Sequence, residues 1–283
     1  MNSTNPNYKL YLAIGMVSLS FIALYHHVIY KMVHDWSIDE NYSHGFLIPV
    51  ISGYLIWQSR KKLSELPIKP LNSGLILVLL SIMFFVAAYV GAELFTMRLS
   101  MILVILSAIV FLAGWSIAKA LLLPIGYLIF MIPLPAIIWN KIAFPLKLFA
   151  TKMAVLVIKA INIPVYSEGN IIYLANTTLE VVDACSGLRS LTSLLALGAA
   201  FALISDHSRL KKIILFLSAV PIAILVNIFR LSSTAILARY FGAKVADGFL
   251  HEISGIIVFF LALILMYLIH QLMYRVGNRQ SPS

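Results

Sequence analysis

Apolar residues run along this chain in long blocks separated by short polar breaks. Roughly 20 residues of helix, rising about 1.5 Å each, cross the hydrocarbon core of a bilayer, and several blocks approach or exceed that length. After a polar start from Met1 to Asn7, the first block covers residues 8–32 and gives way to an acidic loop, 34–42, that holds Asp35, Asp39 and Glu40. A shorter block, 45–57, ends in the basic run Gln58-Ser59-Arg60-Lys61-Lys62, with Lys69 a little further on. The third block is 75–91, with Glu93 and Arg98 in a short turn after it, and the fourth is 99–115. The fifth, 119–132, is cut short by Pro133 and Pro135, since proline ends or kinks helices. The sixth is 187–204 and the seventh 213–240, crossing Pro221 and Arg230; the eighth is 251–274. This pattern predicts an all-α polytopic membrane protein of about eight transmembrane helices.

Two stretches depart from it. In 137–161, Lys141, Lys147, Lys152 and Lys159 punctuate an apolar pattern at near-helical spacing, as in a helix that lies along the interface or tilts through its edge. Residues 163–182 then change period. Pro164-Val165-Tyr166, Ile171-Ile172-Tyr173-Leu174 and Leu179-Glu180-Val181-Val182 read as short strands. Ser167-Glu168-Gly169-Asn170 and Ala175-Asn176-Thr177 supply the turn chemistry between them. Strand edges cannot face lipid, so this β-meander, roughly 163–183, is expected in water or against protein, just before the sixth block.

Composition agrees with the pattern: 61% of residues are hydrophobic, mean hydropathy is +0.96, and 11% are charged, against about 25% in soluble domains. The first block is long and lacks a convincing small-x-small cleavage site after its apolar run, so it does not read as a signal peptide. The formal net charge of +10 is explained by the positive-inside rule, and no nucleic-acid partner is expected. Both basic loops, 58–62 and 206–212, then lie in the cytoplasm with both termini; the acidic loop and the meander lie outside. No repeat or low-complexity tract interrupts 1–283, which is read as one membrane domain. The single cysteine excludes an intrachain disulfide and a cysteine-based zinc site, and no cofactor or metal is expected.

The topology gathers reactive side chains at the outer level. Cys185 begins the sixth block; with Asp183 as N-cap it falls in the first helical turn, where a thiolate is favoured. Arg189, four residues on, shares its face. Arg230 lies 18 positions after Lys212, about 27 Å along a helix and so toward the outer half. His251 opens the eighth block. Thiol, guanidinium and imidazole are the groups a thiol acyl-transferase requires. Cys185 attacks a peptide carbonyl to form a thioester, His251 protonates the leaving amine, and Arg230 stabilises thiolate or oxyanion. Asn227, one turn before Arg230, offers an amide N–H to the same oxygen. Asp183 and Glu252 are the carboxylates available to orient His251. His44, also on the outer side, can serve as a supporting partner, a substrate contact or an interfacial residue.

At these residues the chain resembles the exosortase/archaeosortase family. The resemblance rests on Ala184-Cys185-Ser186-Gly187-Leu188-Arg189-Ser190, Asn227-Ile228-Phe229-Arg230, His251, and the early Tyr42-Ser43-His44-Gly45-Phe46-Leu47-Ile48-Pro49. It covers nearly the whole chain. It implies a transmembrane cysteine protease and transpeptidase, with Cys185, Arg230 and His251 as the catalytic trio. The implied substrates are membrane-anchored exported proteins whose C-terminal tails carry a short motif (Pro-Glu-Pro in bacteria), a transmembrane helix and a basic cluster. The implied place is the outer face of the bacterial inner membrane, with transfer to a cell-envelope or polysaccharide acceptor. Gram-positive sortases use the same residue types on an unrelated fold.

Plainer roles exist for each residue. A cysteine can simply pack, an arginine can snorkel to head groups, and a histidine can cap its helix. Two rival functions differ in kind. A non-enzymatic subunit for exopolysaccharide export needs polar residues at the midplane of several spans, and few are present. A polytopic acyl- or glycosyltransferase using lipid-linked donors needs an acidic loop for metal and phosphate, and Asp35, Asp39 and Glu40 are sparse for that.

Overall fold

A computed structural model describes residues 8–181, 188–242 and 249–278. Two compact units divide the chain, Met1–Leu134 and Pro135–Ser283.

In the first unit the apolar blocks become α1 (Tyr8–Ile38), α2 (Leu47–Gln58), α4 (Gly74–Val90), α5 (Leu94–Ala113) and α6 (Trp115–Gly126), with a short α3 (Arg60–Glu65) after α2. One 3-10 turn, Ser43–Phe46, precedes α2 and another, Tyr127–Met131, follows α6. Helices in an apolar setting are joined by close packing and a few satisfied polar contacts. The Tyr25 and Ser100 hydroxyls share a hydrogen bond of 2.8 Å, and the Ser52 hydroxyl donates to the Pro124 carbonyl, also at 2.8 Å. The Trp36 indole N–H donates to the Met131 carbonyl at 2.8 Å. Gly114 has φ +92°, and a Cβ there would stand 2.1 Å from the Lys69 carbonyl oxygen, so this junction between α5 and α6 requires glycine.

Three boundaries in this unit differ from the sequence reading. α1 continues through His34 to Ile38, so Asp35 is helical and not part of a loop. Arg98 lies within α5, not in the turn before it; it is only 3% exposed and paired with Asp35, the ion pair seen among the described residues. The cap of α5 is Glu93, whose carboxylate accepts from the N–H groups of Phe95 (3.1 Å) and Thr96 (2.6 Å). The basic run after the second block is not a loop but the start of α3. Pro124 is accommodated inside α6, and the helical path ends before Pro133 as expected.

The second unit contains α7 (Ala136–Ala160), β1 (Val165–Glu168), β2 (Ile171–Leu174), β3 (Thr177–Glu180), α8 (Leu188–Ile204), α9 (Arg209–Phe241) and α10 (Phe249–Asn278). The strands form an antiparallel meander in the order β1-β2-β3, as expected, but Ser167, Glu168 and Thr177, read as turn residues, belong to strands and Val181 lies beyond β3; Tyr166 is opposite Tyr173 and Tyr173 opposite Thr178. Gly169, at φ +60°, takes the first central position of the tight β1–β2 turn. On the sheet's inner face Val165, Ile172 and Leu174 pack with Ala150, Ala154 and Ile158 of α7 and with Leu231 and Ala235 of α9. α7 is amphipathic as read from the sequence: Lys141, Lys152 and Lys159 are exposed and Lys147 is half-buried. A second cluster joins Leu191 and Leu194 of α8, Leu215, Ala219 and Val226 of α9, and Val258, Ala262 and Met266 of α10. Gly198 sits in this contact, where a Cβ would meet the mobile Met266 methyl at 2.6 Å and Ala219 Cβ at 3.3 Å.

The eight expected blocks are helical over most of their described residues, with Gly114 breaking the end of the fourth and a 3-10 turn closing the fifth, and the described residues are mostly helix with one small sheet. By length and apolarity four described helices qualify as spans: Tyr11–Ile38, Leu94–Ala113, Arg209–Phe241 and Gly255–Arg275. A fifth is added when Trp115–Met131 and Ala136–Ala160 are taken together; Gly74–Val90 and Leu191–Ile204 are apolar but shorter.

Candidate functional site

The described part of the site lies where α9 meets α10. α9 is one continuous helix that carries Pro221 without breaking. Its lower part, through Val226, packs in the α8–α9–α10 cluster, whereas Leu231 and Ala235 pack beneath the sheet. Asn227 and Arg230 stand between these two regions. Asn227 is 2% exposed, and its side-chain Nδ2 has no hydrogen-bond partner among the described residues. Leaving a buried amide N–H unpaired costs about 1–3 kcal/mol, so the residue is not there for packing alone. Arg230 is half-buried, and its Nη2 lies 3.9 Å from the position a Cβ would take on Gly255 of α10.

Gly255, Val258, Ala262 and Met266 recur every three to four residues along the face of α10 that meets α9. His251 lies one turn before Gly255 on the same stripe. The side chains of His251 and Glu252 are outside the described residues, as are Asp183 and Cys185 altogether. Arg189 is placed in the first turn of α8, its side chain likewise undescribed.

The chain is held on both sides of the cysteine segment. The Val181 N–H donates to the Asn170 carbonyl at 2.9 Å, and Asn170 Nδ2 donates to the Val181 carbonyl at 3.2 Å. Val181 is itself buried against the sheet cluster. Beyond the segment, Leu191 and Leu194 anchor α8 in the cluster shared with α9 and α10. The helices that bear Arg230 and His251, and the helix that follows Cys185, therefore share one core. Among the described residues no group of three or more His, Cys, Asp or Glu side chains forms a metal cluster.

His44 belongs to the first unit. It sits in the 3-10 turn Ser43–Phe46, bonded to the Phe130 and Asn41 backbone, and burial pulls its pKa below the ordinary value although those bonds favour the charged ring. Its neighbour Gly45 lies flat on the Trp36 indole: a Cβ there would be 2.4 Å from Trp36 Nε1. Tyr42 accepts from the Leu134 N–H at 3.2 Å, and its pKa is pushed up to about 12, chiefly by burial. The early motif thus builds a packed corner around Trp36. Sequence reading missed Trp36 and the Asp35–Arg98 pair; a lone tryptophan and a charge in an acidic run carry no signal of their own.

The chain belongs to the transmembrane exosortase family, whose profile matches residues 36–268, most of its length. The matched region contains Cys185, Asn227, Arg230, His251 and the His44 turn. Neither a curated protein nor a solved structure matches the chain.

Proposed function

We propose that this protein is a membrane cysteine peptidase and transpeptidase that removes C-terminal sorting tails from exported proteins at the outer face of the bacterial inner membrane. Family membership supports the reaction class. The observation that carries the residue assignment is the Arg230 guanidinium set against Gly255, one turn from His251, with the unpartnered amide of Asn227 one turn below.

In this reading the Cys185 thiolate attacks the scissile carbonyl carbon, and the oxyanion that forms is stabilised by Arg230 and Asn227 N–H groups. His251 gives its proton to the leaving amine as the C–N bond breaks, which leaves a thioester on Cys185. Water then yields a cleaved protein, or an amine or hydroxyl of a cell-envelope acceptor yields a conjugate; either nucleophile returns a proton to His251 and the thiolate leaves. The substrates are membrane-anchored, because the segment that carries Cys185 leads directly into the apolar helix α8. The eight helical blocks form eight passes with both termini in the cytoplasm.

The test is a membrane assay with a reporter that carries Pro-Glu-Pro, a transmembrane helix and a basic tail. Wild type removes the tail, Cys185→Ala does not, and hydroxylamine releases a thioester-linked fragment from wild type only. Tail loss that persists in Cys185→Ala overturns the thiol mechanism. An intact reporter with wild type, together with no hydroxylamine-sensitive adduct on native envelope proteins, overturns the substrate class.

A further inference from the structure

A cavity of about 330 Å³ opens between α4, α5 and α6, and no residue of the candidate site is among those that line it. Leu80 and Phe84 of α4, Leu103 of α5 and Leu122 of α6 give it apolar walls. Its two wall hydroxyls are already used: Ser81 donates to the Leu77 carbonyl at 2.8 Å and Ser107 to the Val104 carbonyl at 3.1 Å. Nothing inside asks for a polar ligand. At one end the first turn of α6 places Trp115 and Lys119, with the Lys119 ammonium 5.7 Å from the centre of the indole ring. Both side chains are exposed, and Lys119 has no carboxylate partner among the described residues. The turn before them, at Gly114, rests on the backbone of Lys69, seven residues after the basic segment 60–62. The apolar cleft therefore ends in an aromatic ring and an unneutralised cation, on the cation-rich end of the helices.

That is a site for an amphiphile with an apolar tail and an anionic head. A methylene chain fits a narrow cleft, and basic pockets between transmembrane helices suit phosphate head groups. We infer that this cavity seats one acyl chain of an anionic phospholipid, with the headgroup phosphate paired to Lys119 and the glycerol region against Trp115. The site holds a structural lipid and takes no part in the thiol chemistry.

The experiment uses the full chain reconstituted in phosphatidylcholine bilayers, with spin-labelled phosphatidylglycerol and phosphatidylcholine that carry the label on the same tail carbon. Electron paramagnetic resonance reads the motionally restricted fraction of each. Wild type is expected to restrict phosphatidylglycerol at least twofold over phosphatidylcholine. Lys119→Gln brings the ratio to unity, Lys119→Arg keeps it, and Leu103→Trp, which fills the cleft from a lipid-exposed position, lowers the restricted phosphatidylglycerol. Equal restriction of the two lipids by wild type means ordinary bilayer covers the cleft and overturns the proposal. A preference that survives Lys119→Gln also overturns it, since other cations then hold the lipid. The two lysine variants decide the matter even where Leu103→Trp fails to fold.

Discussion

Asn227 holds a buried amide that has no partner among the described residues. A donor sealed from water without a partner is destabilising, and Leu at the same position removes the buried donor. Under the proposed reaction the amide is held ready for charge that develops on the substrate oxygen. Asn227→Leu is therefore expected to slow tail removal about 100-fold, the usual loss for one oxyanion donor, while the thermal midpoint in detergent stays level or rises. A fall in the midpoint with processing unchanged would assign Asn227 to structure alone. The residue was legible in the sequence by its spacing from Arg230, but its burial was not: periodicity places a side chain on a face and says nothing about what stands opposite. Arg230 shows the same limit. Its depth followed from counting residues after Lys212, yet its approach to Gly255 depends on how closely two helices pack.

At the scale of elements, the apolar blocks gave helices throughout because twenty apolar residues in lipid have no alternative to satisfying their backbone internally. Where the reading failed, it took a charged residue as the end of a block. Asp35 and Arg98 are inside helices because each neutralises the other, and pairing across 63 residues of sequence leaves no local pattern. The pair ties the last turn of α1 to the first turns of α5. Breaking it strands the Arg98 guanidinium, whose Nε already lacks a partner among the described residues, at 3% exposure. Removing one member of a buried pair costs 3–5 kcal/mol; since Asp35 is 35% exposed, the cost of Asp35→Asn is expected at the low end, about 3 kcal/mol. Thermal aggregation in detergent measures this as a lowered midpoint. A double variant with apolar residues at both positions is expected to recover most of the loss, and failure to recover would show that Arg98 is held by more than Asp35.

The orientation of the whole molecule turns on the length of α9. From Lys212 to Ala235 are 23 residues, about 35 Å of helix, and the hydrocarbon core is about 30 Å thick. Lys212 belongs to the cationic first turn, together with Arg209 and Lys211, whereas Ala235 packs beneath the β-meander. A cationic turn and a strand-edged sheet both avoid hydrocarbon, so a membrane-spanning α9 leaves them in water on opposite sides. Arg230 and Asn227 are then at the sheet's side, the level at which α8, the helix that follows Cys185 in sequence, begins. This makes an observable claim, because the chain has a single cysteine and Cys185→Ala leaves none. In that background, Thr178→Cys on the exposed face of β3 and Ser208→Cys before α9 each provide one accessible thiol. In intact spheroplasts a membrane-impermeant maleimide is expected to label Thr178→Cys at once and Ser208→Cys only after permeabilisation. Labelling of both from outside would remove α9 as a span, and the reverse order would place the thiol in the cytoplasm, where tails of exported proteins are out of its reach.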